Sequence, residues 1–308
     1  MPKQSLYIPD RTGKKLHVLK WTPDSDPLRG VVHIVHGLAE HAGRYHHVAK
    51  FLNENGFVVY AHDHRGHGKT DEDHLGHIDT ENGFDLMISG IGDIQTEVQE
   101  NYPNLPLFII GHSMGTFLLQ RYLQITSDEP DGVVYSGSNG KPPPILGIGI
   151  LISKIITKIY GADSQSSLLH KMTFGAYNSK FKPTKTEVDW ISRDSEMVQL
   201  YVDDPYCNAI PSASFFGSLF QGLKTLHGHK PFSDHSKDLP ILIISGDDDP
   251  VSDMGKGIKS LEKLILKSGV EDLTVKIYEG GRHEMFNEIN RDEVLNDLLK
   301  WINSHIKL

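Results

Sequence analysis

The 308-residue chain reads as an α/β protein, with a mostly parallel central sheet, helices on both faces and an inserted helical cap. Three observations predict this. Short apolar runs at residues 31–35, 57–60, 107–110, 133–135, 241–244 and 273–278 are separated by helical lengths of chain. Three of those runs end in loops that carry a serine, a cluster of aspartates and a histidine. The alternation then lapses between about residues 139 and 232, where no clear buried strand is legible.

Taken in order, residues 5–8 and 16–21 form an antiparallel hairpin turning at Asp10-Arg11-Thr12-Gly13. The next four runs, and the one at 241–244, lack strict alternation. That is the pattern of strands buried on both faces, and so of a parallel sheet. Residues 1–138 and 233–308 are assigned to the sheet domain and 139–232 to the cap, which opens with Asn139-Gly140-Lys141-Pro142-Pro143-Pro144. Residues 145–159 are the most apolar stretch, too short and interrupted to span a bilayer, which takes about 20 apolar residues. Ser153, Lys154, Thr157 and Lys158 cluster on one helical face and leave the isoleucines and Leu151 on the other. Such a helix either packs on the core or acts as a lid, its apolar face lining an acyl tunnel or resting on lipid.

Gly111-His112-Ser113-Met114-Gly115 follows the run at 107–110 and precedes an apolar helical pattern. A strand that turns sharply into a helix presents its tip residue, and glycines on either side let the backbones pass. A serine at that tip needs a base, and the base needs an orienting acid. The strand at 273–278 leads into Glu279-Gly280-Gly281-Arg282-His283-Glu284, and the strand at 241–244 into Ser245-Gly246-Asp247-Asp248-Asp249-Pro250. Serine, aspartate, histidine, each just past a strand, is the order expected of an α/β-hydrolase. Spacing alone does not choose among Asp247, Asp248 and Asp249, with Asp253 a weaker candidate. The N–H of Met114, after the serine, is one expected oxyanion donor; the second comes from the loop after residues 31–35.

Composition bounds the rest. With 38% hydrophobic and 23% charged residues the chain is an ordinary globular protein. A net charge of −9 argues against nucleic acid and strongly anionic membranes as partners, but not against uncharged lipids. A single cysteine, Cys207, excludes an internal disulfide and reads as a buried small residue. The N-terminus shows no apolar signal segment, so a cytoplasmic location is expected, with peripheral membrane contact through the cap. Eighteen histidines, among them His62, His64 and His67, raise the question of a metal, but cysteine ligands do not cluster with them and no metal is expected.

The chain resembles the monoglyceride lipase and lysophospholipase branch of the α/β-hydrolases, grouped with the S33 serine aminopeptidase-like hydrolases. The resemblance covers nearly the whole sequence. It rests on His36-Gly37-Leu38-Ala39-Glu40-His41, His62-Asp63-His64-Arg65-Gly66-His67-Gly68, the serine motif, Gly246-Asp247-Asp248-Asp249-Pro250-Val251 and Tyr278-Glu279-Gly280-Gly281-Arg282-His283. It implies Ser113 as nucleophile, His283 as base, Asp249 as its partner by the Gly-x-x-Asp-x-Val pattern, and Leu38 as second oxyanion donor. It implies hydrolysis of a monoacylglycerol without a cofactor; lysophospholipids and short-chain esters are the alternatives, and peptides a weaker one. It favours the lid reading, with Ile148 and Leu151 near the acyl chain, and places the cap tyrosine, Tyr201, by the substrate's polar head. Two positions depart from the family pattern: Leu38-Ala39, where a smaller pair is usual, and Thr116, where glycine is common.

Overall fold

The computed structural model describes residues 3–24, 26–78, 82–140, 145–228 and 237–306. Eight strands form one sheet in the order β1-β2-β4-β3-β5-β6-β7-β8. They are β1 (Lys3–Pro9), β2 (Lys15–Trp21), β3 (Gly30–Val35), β4 (Phe57–His62), β5 (Leu107–His112), β6 (Gly132–Ser136), β7 (Ile241–Gly246) and β8 (Leu273–Tyr278). The β1–β2 and β2–β4 pairs are antiparallel; every other pair is parallel. Every residue of β3, β4, β5, β6 and β7 is buried, which is why those runs are apolar without alternation.

Helices cover both faces. On one, α1 (His46–Glu54) and α9 (Arg291–His305) enclose a core with Val32, Ile34, Phe108 and Trp301. On the other, α2 (Gly83–Asn101), α3 (Met114–Ile125) and α8 (Lys256–Ser268) pack over Val31, Val133 and Ile243. The parallel strands all end at the same edge of the sheet. The loops after β3, β5, β7 and β8 therefore meet there, where open α/β sheets bind their ligands.

Between β6 and β7 the chain forms α4 (Leu146–Tyr160), α5 (Ser167–Phe174), α6 (Ser195–Asp203) and α7 (Ala213–Gly228), with short 3-10 turns at Tyr177–Lys180 and Asp189–Ile191. Among the described residues this stretch contributes no strand beyond an isolated bridge between Gln165 and Ser212. Both α2 and α3 contact α7, whose Phe216 and Phe220 join the main core. Of the expected cap opening at 139–144, residues 141–144 lie outside the described residues, as does the expected cap boundary at 232.

Helix α4 departs from the sequence expectation in burying Ser153, which the helical pattern placed on the polar face. Its small residues face inward: Gly149 sits against the ring of Phe220, and Ser153 is fully buried beside Gly217 of α7. Small side chains let the two helices approach closely, and the Ser153 hydroxyl donates to Ile150 O at 2.8 Å within its own helix. Leu146 is buried with Gly149 and Ser153, and Ile150, Ile152 and Ile156 pack half-buried against the core, while a second set of large apolar residues faces solvent. Ile148, Leu151 and Ile159 are 61%, 60% and 64% exposed, and Ile155 and Tyr160 extend the same patch.

Candidate active site

Ser113 is the hinge between β5 and α3. Its backbone adopts φ +50° and ψ −119°, a conformation non-glycine residues rarely hold, and one found where structure around it over-determines it. Several contacts hold it. Its N–H donates to Ser136 O at 3.0 Å, and its carbonyl accepts from the N–H of Thr116 at 2.9 Å and the Thr116 hydroxyl at 2.7 Å. Thr116 Oγ1 also bonds Ser138 Oγ at 2.9 Å, and Gln120 donates to the same hydroxyl at 3.1 Å. The departure at Thr116 thus ties the turn to the loop after β6. Gly115 has no room for a side chain, since a Cβ would run into the carbonyl of Val35 and come within 2.6 Å of that of His36. This close approach sets the first turn of α3 directly against the end of β3.

His283 follows β8. Its Nδ1 donates to Asp249, 3.1 Å from each carboxylate oxygen, and both residues are buried. Asp249 is held in turn by the N–H of Val251 at 2.8 Å. The imidazole is wedged between the rings of His112 and Trp190, at 4.9 and 5.1 Å between centroids, with Gly137 close to its edge. Burial opposes protonation of His283, but Asp249 outweighs it, and its pKa stands above the ordinary imidazole value. His112 is driven the other way, down to about 4, by burial and then by His283.

Ser113 and His283 open onto one cavity of about 540 Å³, in the size range of small-molecule sites. Leu38 and Tyr201 line it too. Met114 is the first residue of α3, so its N–H has no acceptor within the helix. Ile148 and Leu151 do not line this cavity; they lie on the solvent-facing side of α4. Its apolar wall comes instead from Phe174, Val188, Trp190, Ile191 and Ile210. Asp247 bonds the N–H of Gly280 at 2.6 Å, so of the three adjacent aspartates only Asp249 faces the histidine.

The polar floor holds residues to which the sequence assigned no role. Glu40 and Glu284 both line the cavity and share Arg44, which donates to Glu40 at 2.8 Å and to both oxygens of Glu284 at 2.7 Å. Tyr45 adds a bond to Glu40 at 2.9 Å and Asn287 one to Glu284 at 2.8 Å. Burial would raise the pKa of Glu40, but Arg44 and other neighbours hold it down to about 2. The Arg44 guanidinium also lies over the Tyr201 ring at 4.8 Å. Nothing local in the sequence signals the full set, because Glu284 lies 240 positions from Arg44.

Among the described residues, one group brings three potential metal ligands within 4.8 Å of one another: His41, Asp204 and Cys207. His41 Nε2 and Asp204 already bond each other at 2.9 Å, and burial raises the Cys207 pKa far above its usual value. His62, His64 and His67 are buried and do not converge on a common point; His62 and His64 bond each other at 3.1 Å.

A serine on a strained strand–helix turn, a buried histidine–aspartate pair and a cavity at the carboxyl edge of a mostly parallel sheet define an α/β-hydrolase. The family model for serine aminopeptidase, S33, matches residues 26–290, and the chain belongs to that family. Among its relatives is the monoacylglycerol lipase of Mycolicibacterium smegmatis, 31% identical over 93% of this chain and 92% of the relative. The monoglyceride lipase of Mus musculus is 28% identical over 99% of this chain and 91% of its own length. A thermostable carboxyl esterase from Bacillus coagulans, solved in complex with glycerol, superposes with a TM-score of 0.91 at 30% identity, covering all of both chains.

Proposed function

We propose that the chain hydrolyses monoacylglycerols to fatty acid and glycerol, with Ser113 as nucleophile, His283 as base and Asp249 as its orienting acid. The observation that carries this reading is the cavity that Ser113 and His283 share, its base already fixed by a buried carboxylate. Asp249 holds the proton on Nδ1 and leaves Nε2 to take the serine proton. Ser113 Oγ attacks the acyl carbonyl, and the N–H groups of Leu38 and Met114 receive the oxyanion. His283 then protonates the leaving alcohol; water repeats the sequence and releases the acid. In this reading residues 139–232 act as a cap, whose Phe174, Val188 and Trp190 contact the acyl chain and whose Tyr201 meets the glycerol end.

The names of the relatives support an ester, and so does the charge of the site. An aminopeptidase needs a free acidic group for the substrate amine, and Glu40 and Glu284 are the acids at hand. Their oxygens are already taken by donors from Arg44, Tyr45 and Asn287, so neither stands as a free carboxylate for an amine. The exposed patch of Ile148, Leu151, Ile155 and Ile159, flanked by Lys154 and Lys158, suits contact with a lipid surface where such a substrate resides. Among the described residues no helix is long and apolar enough to cross a membrane.

The test is a substrate panel. Long-chain monoacylglycerols should exceed lysophospholipids and aminoacyl amides in kcat/KM, and Ile148→Asp with Leu151→Asp should weaken binding to uncharged phosphatidylcholine vesicles. Faster turnover of aminoacyl amides would reject the ester reading; unchanged vesicle binding would reject the surface assigned to α4.

A further inference from the structure

The histidines of β3, β4 and the loops behind the site form a chain whose direction can be worked out bond by bond. His36 Nδ1 faces the carbonyl of Gly37 at 2.7 Å, and a carbonyl only accepts, so that nitrogen carries the proton. His36 Nε2 is then bare, and it accepts the backbone N–H of His64 at 3.0 Å. His64 Nε2 faces the carbonyl of His36 at 3.2 Å, so it carries the proton and His64 Nδ1 is bare. The bare Nδ1 accepts from His62 Nε2 at 3.1 Å, and His62 Nδ1 in turn accepts from His33 Nε2 at 2.9 Å. The one unmatched atom, His33 Nδ1, lies at the far end and has no partner among the described residues. All four side chains are buried, and burial pushes the pKa of each down, so each ring stays neutral with one proton to place.

Those bonds end on two consecutive peptides. The His36 carbonyl takes His64, while the N–H on the other side of that peptide, at Gly37, donates to Glu40 Oε1 at 2.6 Å. The Gly37 carbonyl takes His36, and in a trans peptide the N–H points opposite to the carbonyl. The N–H opposite Gly37 O is that of Leu38, which lines the cavity. From the other side, Ala39 O accepts the N–H of Asn208 at 3.0 Å. A shell built only to fill the core would place apolar residues at positions 33 and 62 and leave no buried nitrogen unmatched.

We infer that the chain His33–His62–His64–His36 positions the Leu38 peptide, so that its N–H is held toward the reacting carbonyl before substrate arrives. These are positioning residues and touch no substrate. The inference rests on the proposed ester hydrolysis, in which Leu38 is an oxyanion donor.

The test uses the full chain. His36→Leu removes the donor to Gly37 O; His36→Asn keeps an amide donor in the place of Nδ1. On a p-nitrophenyl ester, His36→Leu should lower kcat about 100-fold, the scale for losing one oxyanion donor, with KM changed less than about three-fold. Affinity for a trifluoromethyl ketone, whose hemiketal fills the same hole, should drop in parallel, and His36→Asn should recover most of both. Wild-type kcat in His36→Leu, or equal losses in Leu and Asn, would overturn the inference. Wild type that cleaves no ester would instead reject the proposed reaction. Should His36→Leu not fold, nitrogen NMR of wild type decides. The inference requires His36 protonated on Nδ1 and His33, His62 and His64 on Nε2, and one ring in the opposite tautomer refutes it.

Discussion

Acidification from pH 7.5 to 5.0 should cost this protein much of its stability, and buried histidines set the size of the loss. Burial holds His33 and His67 down to about 3 and His112 down to about 4, and His62 and His64 shift the same way. A depressed histidine pKa means that the unfolded chain binds more protons below its own pKa of about 6.5, so stability falls as pH falls through that value. At pH 5 each fully shifted ring accounts for about 2 kcal/mol, and the three with stated values for about 6 kcal/mol together. A domain is typically stable by about 5–15 kcal/mol, so the loss is decisive. Other groups do not mask it. The raised value of His283 works the other way above about 6.5, adding stability as pH falls toward that value, and is complete below it, so this one ring offsets only part of the loss and adds none from there to pH 5. Asp63 and Glu40, the acids nearest the cluster, sit at about 2 and lose their contribution only below about pH 4.5. The assay is urea unfolding at both pH values, read by tryptophan fluorescence. The midpoint should fall sharply, and unfolding at pH 5 should take up at least three protons. A midpoint that does not move would mean that these rings are solvated or already charged in the folded state.

Three further outcomes follow from the site. The value of kcat/KM should fall as pH drops through an apparent pKa above 6.5, because the base must be neutral; Asp249→Asn should lower that pKa and cut kcat by about 10⁴, and a profile unchanged in Asp249→Asn would remove Asp249 from its role. Thr116→Val deletes the hydroxyl bonded to Ser113 O and Ser138, and should destabilise by about 1–3 kcal/mol in thermal unfolding, with Thr116→Ser close to wild type. Arg44→Met strands Glu40 and Glu284 as buried, unpaired acids and should cost about 3–5 kcal/mol in urea; a change under about 1 kcal/mol would show that the pair is hydrated.

All eight strands were legible in the sequence: β3 to β7 because a strand buried on both faces must be a short apolar run, the others because turn residues bound each run. The strained turn at Ser113 was legible for a similar reason: Gly111 and Gly115 mark close backbone approach within five residues. The orientation of α4 was not. The sequence left its apolar face packing on the core, lining a tunnel or resting on lipid; the close contact with α7 selects Gly149 and Ser153, with Ile150, Ile152 and Ile156 half-buried beside them. Ile148 and Leu151 therefore lie on the surface and not beside the cavity. The choice among three adjacent aspartates needed the family pattern, since only tertiary structure shows which one meets His283. Glu40, Arg44 and Glu284 went unassigned because their chemistry exists only once the loops after β3 and β8 meet. His62, His64 and His67 were weighed from the sequence as possible metal ligands; the order in which the buried histidines bond depends on strand register, which composition does not carry.

The central claim is that Ser113 attacks a single-chain lipid ester. The most direct measurement labels the intact protein with a fluorophosphonate, maps the adduct by mass spectrometry, and compares hydrolysis of a C16 monoacylglycerol by wild type and Ser113→Ala. The adduct should fall on Ser113 alone, and folded Ser113→Ala should lose at least about 10⁴ of the rate. An adduct on another residue, or substantial turnover by Ser113→Ala, would contradict the assignment.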